Sequence, residues 1–177
     1  MFFFSYKSFK NQNRRRIVVY SINKASAIDL IDGKEDFFLT DSLLINDIDK
    51  IAYHIQNNRW KSGIKNVVKF HVDNKQIIKQ NFYKNKNFIQ FYDKRLVIIN
   101  PEFRFYPTQN KMKVDYLVVS QNPDIKIAEL TESFDFEQLI FDSSNRYWKI
   151  NKWIEECSKT SVEYYDVKRQ GAWDKAI

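Results

Sequence analysis

The sequence predicts a mixed α/β domain with two sheets, and three observations lead there. Residues 17–40 and 67–99 break into short runs rich in Val, Ile and Phe, separated by turn residues, which is strand patterning. The last third alternates apolar strand-like runs with longer stretches of helical spacing. A chain of 177 residues that is 44% hydrophobic, with 15 Phe, 10 Tyr and 4 Trp, suffices for one packed core that buries roughly 70% of the unfolded surface.

Residues 1–14 read as a tail ahead of a single domain at 15–177. Met1-Phe2-Phe3-Phe4, Tyr6 and Phe9 make either the exit from a membrane helix or a frayed apolar end, and they are too short for the apolar segment of a signal peptide. Strands follow at Ile17–Ile22, Ala27–Ile31 and Asp36–Thr40. Asp32-Gly33 supplies the turn between the last two, because this pair accepts the positive φ angles of a two-residue hairpin. Ser42 is placed to cap a helix whose apolar positions Leu44, Ile48, Ile51, Ala52 and Ile55 recur at spacings of three and four. Gly63 ends it, with Arg59, Trp60 and Lys61 at or near the last turn, where cations offset the helix dipole.

Further strands are expected at Val67–Val72, Gln76–Tyr83, Phe88–Tyr92 and Leu96–Ile99, the last two joined by a turn at Asp93-Lys94. Asn100–Pro107 reads as a surface loop, since each proline lacks an amide donor and restricts its predecessor. The final third then runs strand Tyr116–Val119, helix Ile125–Glu132, strand Gln138–Phe141, helix Tyr147–Cys157 and strand Val162–Val167. Ser143 or Ser144 suits the N-cap of the second helix. Cys157 lies on that helix's apolar face and, as the only cysteine, forms no internal disulfide.

Composition excludes several classes. No apolar stretch reaches the ~20 residues of a membrane-spanning helix. Three glycines leave no phosphate-cradling loop or dinucleotide fingerprint, and no Gly-x-Ser-x-Gly elbow occurs. Two histidines, His54 in a helix and His71 in a strand, cannot build a zinc cluster. A carboxylate-only Mg²⁺ site drawn from Asp29, Asp32, Asp41, Asp115 or Asp142 remains an alternative, since Mg²⁺ prefers oxygen ligands.

A formal charge of +7 attracts phosphates or an anionic surface over long range. Three clusters carry that reading: Arg14-Arg15-Arg16; Arg59-Trp60-Lys61 with Lys65, where an aromatic between cations suits a stacked base; and Arg104 in the Phe103–Tyr106 loop. The alternatives are, in turn, a membrane-proximal basic collar, a helix C-terminal cation pair, and a loop packed on its own sheet.

The order of the last third carries a resemblance. Asp115-Tyr-Leu-Val-Val-Ser-Gln-Asn-Pro123 is a strand running into a loop, followed by Gln138–Asp142, Ser143-Ser144-Asn145-Arg146-Tyr147-Trp148-Lys149, Val162–Val167 and Gln170-Gly171-Ala172. It resembles the end of the metallo-β-lactamase-like domain of the ComEC family of DNA-uptake channel proteins, and the likeness runs from about Arg15 to Ala172. The resemblance implies a reduced two-sheet sandwich with flanking helices. In that family the first strand runs into Ser-His-His-Gly; here Gln121, Asn122 and Pro123 stand instead. The later helix is entered through Asn-x-Tyr-Gly-His-Pro; here Trp148, Lys149 and Ile150 replace the last three. The position of the bridging Asp is Asn100, and Asp41 alone keeps an acidic family position.

Correlated loss of the imidazoles implies a domain without catalysis, metal or small-molecule cofactor. It is expected to be structural or to contact single-stranded DNA, as the soluble domain of a cell-membrane channel protein that works in natural transformation. The expected partners are the membrane portion of the same polypeptide and single-stranded DNA. The alternatives are a nuclease with an atypical carboxylate site and a protein-docking domain.

Overall fold

The structure, a computed structural model, describes residues 14–105 and 110–177. The expected tail before Arg14 and the loop residues Tyr106 and Pro107 lie outside the described residues. Three antiparallel strands, β1 (Arg15–Val19), β2 (Ala27–Asp32) and β3 (Glu35–Thr40), open the first sheet. Gly33 makes the hairpin turn with φ of 60°, as its missing Cβ allows. Helix α1 (residues 48–62) then crosses over to β4 (Asn66–His71), which pairs parallel to β3. The C-terminal strand β14 (Trp173–Ala176) closes the other side against β1.

Among the described residues the second sheet has seven strands. β5 (Gln76–Ile78), β6 (Phe82–Asn85), β7 (Phe88–Phe91) and β8 (Lys94–Ile99) form an antiparallel meander. From β8 onward the pairing is parallel, through β10 (Tyr116–Val119), β12 (Gln138–Phe141) and β13 (Tyr164–Asp166). The crossovers carry α2 (Ile127–Ser133) and α3 (Tyr147–Thr160). A small parallel pair joins β9 (Met112–Lys113) to β11 (Phe134–Asp135), and α4 (Val167–Gln170) follows β13.

Side-chain alternation turns these sheets into four layers, because successive residues of a strand point to opposite faces. Ile17, Val19, Ile28, Leu30, Phe37 and Leu39 of the first sheet meet Phe82, Phe91, Leu96, Ile98, Tyr116, Val118 and Ile140 of the second in one buried core. The intervening residues Val97, Ile99, Leu117, Val119, Leu139 and Phe141 face outward and pack on Ile127, Leu130, Ile150, Trp153 and Cys157 of α2 and α3. Val18, Ile31 and Phe38 do the same on the first sheet, beneath Ile51 and Ile55 of α1. The order is helix, sheet, sheet, helix.

Several boundaries differ from expectation for identifiable reasons. α1 begins at Ile48 and not after Ser42, because the Asp41 carboxylate takes the Leu43 N–H at 3.1 Å and the Asp41 carbonyl takes those of Leu44 and Ile45, closing a turn. Asp47 is the cap, accepting from the Lys50 N–H at 3.0 Å. The middle of α1 is a π turn, Ala52–Gln56, between α-helical Ile48–Ile51 and Asn57–Ser62. It keeps Ile51, Ile55, Arg59 and Ser62 on the buried side. Gly63 ends the helix at φ of 72°. The run 76–83 splits into β5 and β6 because Lys79 N–H bonds the Phe82 carbonyl at 2.8 Å, closing a polar turn.

Neither Ser143 nor Ser144 caps α3. Its first turn follows Arg146, whose N–H is taken by the Asn122 side-chain oxygen. Strand β14 went unpredicted, since only Trp173 of its four residues is buried.

Candidate functional site

Parallel pairing of β8, β10, β12 and β13 brings their C-terminal ends to one rim. Asn100, Ser120 and Asp142 stand immediately past the first three, and Asp166 ends the fourth. The loop 20–26 of the first sheet reaches the same rim, where the Lys24 N–H donates to the Ser143 carbonyl at 3.2 Å.

Asp142 is fully buried at the centre. It accepts from Ser120 Oγ at 2.7 Å, from the Ser144 N–H at 3.0 Å, from Ser144 Oγ, and from Asn145 Nδ2 at 3.1 Å. Burial pushes its pKa up to about 6, and these hydrogen bonds offset only part of that rise. The loop after β10 is folded down on the same network. Gln121 and Asn122 both take positive φ, 62° and 60°. Their N–H groups donate to Ser144 Oγ at 2.6 Å and to Asn145 Oδ1 at 2.8 Å. Lys149 Nζ donates to the carbonyls of Asn122 at 2.8 Å and Pro123 at 2.7 Å.

Lys149 is bonded directly to Asn122, and Gln121 reaches the same network through Ser144. Asp41 and Asn100 are tied elsewhere. The Asp41 carboxylate is spent on the N–H groups of Ser26, at 2.7 Å, and Leu43. Asn100 Oδ1 accepts from Asn87 Nδ2 at 2.9 Å. This donor set does not fit a metal ion. The Lys149 amine, itself a cation, sits on two backbone carbonyls, and the Asn122 and Asn145 amides are engaged by backbone groups and Asp142. Among the described residues no three His, Cys, Asp or Glu side chains converge as ligands. The aspartates considered for Mg²⁺ are dispersed: Asp29 on Arg59 and Tyr20, Asp32 on Asn81 and Tyr92, Asp115 on Lys94 and the Arg95 N–H.

Above this network lies an open cleft of about 700 Å³, lined by Lys24, Asn122, Arg146, Tyr147, Trp148 and Lys168 among others. No carboxylate lines it among the described residues. Tyr147 and Trp148 are 57% and 58% exposed. The Lys168 amine stands 4.6 Å from the Tyr147 ring centre and donates to the Asn145 carbonyl. Burial, with a smaller contribution from Lys24, lowers its pKa. The sequence held one local signal for this cleft, the basic and aromatic run Arg146-Tyr147-Trp148-Lys149. Lys24 and Lys168 join it only through the fold.

The basic clusters singled out in the sequence lie elsewhere. Arg15 and Arg16 begin β1, with Arg14 just before it, and by strand direction they stand at the end of the sandwich opposite the rim. Arg15 stacks on Tyr92 at 3.9 Å, and Arg16 bonds Asp174 and Ser62 Oγ. The Ser62 bond brings this cluster beside the C-terminus of α1, where Trp60 is 70% exposed and Lys61 and Lys65 face solvent.

Arg59 is only 3% exposed. Its Nε donates to Asp36 at 2.7 Å and its Nη2 to Asp29 at 2.9 Å, so it offers no face to a phosphate. Burial raises the pKa of both aspartates. The Arg59 guanidinium between them opposes that rise in both. Arg104 is exposed and folds back on the carbonyls of Pro101 and Phe103.

The chain matches, over residues 17–176, the family described as ComEC C-terminal domain. No curated protein and no solved structure matches it.

Proposed function

The chain belongs to the ComEC C-terminal domain family, a part of competence DNA-uptake proteins, and from that premise we propose a non-catalytic module that holds single-stranded DNA along the rim cleft. The observation that carries this reading is the cleft itself: three cations and two half-exposed aromatic rings with no carboxylate among them. Cations neutralise phosphates without regard to sequence. Trp148 and Tyr147 offer faces on which bases stack, worth about 1–3 kcal/mol per base. The reading also takes the four-layer order as a reduced metallo-β-lactamase-like fold whose metal site has been rebuilt. Lys149, Asn122 and Asn145 fill it with bonds that shape the cleft floor, and no hydrolytic step is assigned to them.

In this reading the domain works beside the membrane portion of the same polypeptide. Among the described residues no helix is long and apolar enough to cross a membrane.

Binding of oligothymidylate in the presence of a chelator tests the proposal, together with metal analysis of the purified protein. Chelator-insensitive binding weakened about tenfold by Trp148→Ala is expected. Stoichiometric Zn or Mn with chelator-sensitive DNA cleavage would overturn the non-catalytic assignment.

A further inference from the structure

A second cavity, of about 230 Å³, opens on the same rim beside Asn100. β6 runs in the same direction as β8, since both pair antiparallel with β7, so its end carries Lys84 to this edge. Lys84 points inward with Phe82 and is 1% exposed. Its amine donates to the carbonyl of Asn74 at 2.6 Å and to that of Lys86. An ammonium has three N–H donors, so one remains without a partner among the described residues.

Among the described residues no carboxylate lies within ion-pairing distance of it. Asp73 and Glu102 line the cavity, and only Asp73 raises the amine's proton affinity appreciably. Burial prevails and lowers the pKa to about 8. A buried cation held only by neutral carbonyls is costly, and proteins normally pair such charges. Lys75 and Lys86 also line the space, so the lysines outnumber the carboxylates. Asn87 and Asn100, bonded to each other, supply amide edges.

We propose that this cavity receives a terminal phosphoryl group of the DNA strand, with Lys84 as its buried counter-charge. The inference rests on the DNA-contacting reading of the rim. β8 and β10 are neighbours in the sheet, so Asn100 at the cavity and Asn122 at the cleft stand at the ends of adjacent strands, and one chain can lie across both. The amides around Asn100 fit oxygens of a phosphate ester or sugar. Charge-assisted bonds to a phosphoryl oxygen would satisfy the remaining donor.

The test compares oligothymidylates carrying a 5′-phosphate, a 3′-phosphate or neither, with inorganic phosphate as a separate probe. One phosphorylated form is expected to bind the wild-type protein about tenfold more tightly than the unphosphorylated strand. Lys84→Met should abolish that gain and leave the unphosphorylated strand's affinity unchanged. Asn100→Asp, which places a carboxylate in the cavity and leaves Lys84 intact, should also abolish it if Lys84→Met folds poorly.

Equal affinity for all three strands, or a gain that survives both variants, overturns the proposal while the cleft reading stands. If no strand binds, both fall. Backbone amide shifts at Asn74 and Lys86 on adding inorganic phosphate alone would then reassign the cavity to the free ion.

Discussion

At the scale of single residues, neighbours in sequence have opposite fates. Arg59 and Trp60 look like one basic-aromatic cluster, yet the first is buried between Asp29 and Asp36 and the second is 70% exposed. Removing the guanidinium strands two buried carboxylates, so Arg59→Met should cost about 3–5 kcal/mol in urea denaturation, whereas Trp60→Ala should stay within about 0.5 kcal/mol.

Asp142 makes a pH-dependent prediction. Its folded pKa of about 6 exceeds the unfolded value near 3.9, so between these values the folded state holds a proton that the unfolded state has released. Stability is therefore highest, as far as this group is concerned, below about pH 4. It declines as pH rises toward 6, by up to about 3 kcal/mol. Asp142→Asn, which keeps an acceptor for Ser120, should gain stability relative to wild type between pH 4.5 and pH 7.5. Denaturation curves at the two pH values showing no relative gain would refute this.

At the scale of elements, strands were legible wherever both faces are buried. β8, β10 and β12 are continuous apolar runs because one face meets the other sheet and the other meets helices. Helix starts were less legible. Ser42 and Asp47 are both acceptable caps by residue type, and only the closure of the Asp41 turn decides between them. Thermal or chemical denaturation should therefore show Asp47→Ala losing about 1 kcal/mol and Ser42→Ala losing no more than about 0.5 kcal/mol. The π turn in α1 left no trace in periodicity. It sets Arg59 against the sheet, which the spacing of apolar residues alone does not register. α3 was read correctly because Ile150, Trp153 and Cys157 recur at helical spacing, and the Trp153 ring stacks on Phe141 at 5.5 Å. Burial pushes the Cys157 thiol up to about 12, consistent with packing and not with reactivity.

At the scale of the whole molecule, the two sheets define two ends with different chemistry. One end gathers Arg14, Arg15, Arg16, Trp60, Lys61 and Lys65. The other carries the cleft and the Lys84 cavity. The net charge of +7 was legible from composition, but not its partition between these ends. Lys24, Arg146 and Lys168 are scattered over the sequence: the last two follow parallel strands that end on one rim, and Lys24 joins them from the β1–β2 hairpin loop of the other sheet. Gln121, Asn122 and Lys149 were singled out in sequence from the resemblance alone. Their bonds to Ser144, Asn145 and the loop carbonyls, which hold the loop after β10 beneath the cleft, were not legible there.

The central claim is that this cleft holds single-stranded DNA without a metal, and its most direct test is the salt dependence of oligothymidylate affinity in chelator, for wild type and Arg146→Glu/Trp148→Ala. If three cations neutralise three phosphates, the plot of log affinity against log salt should have a slope of about −2. The double variant should bind at least tenfold more weakly, with a slope shallower by about 0.7 for the lost arginine. Wild-type binding that is undetectable, or an affinity and slope that the double variant leaves unchanged, would contradict the account.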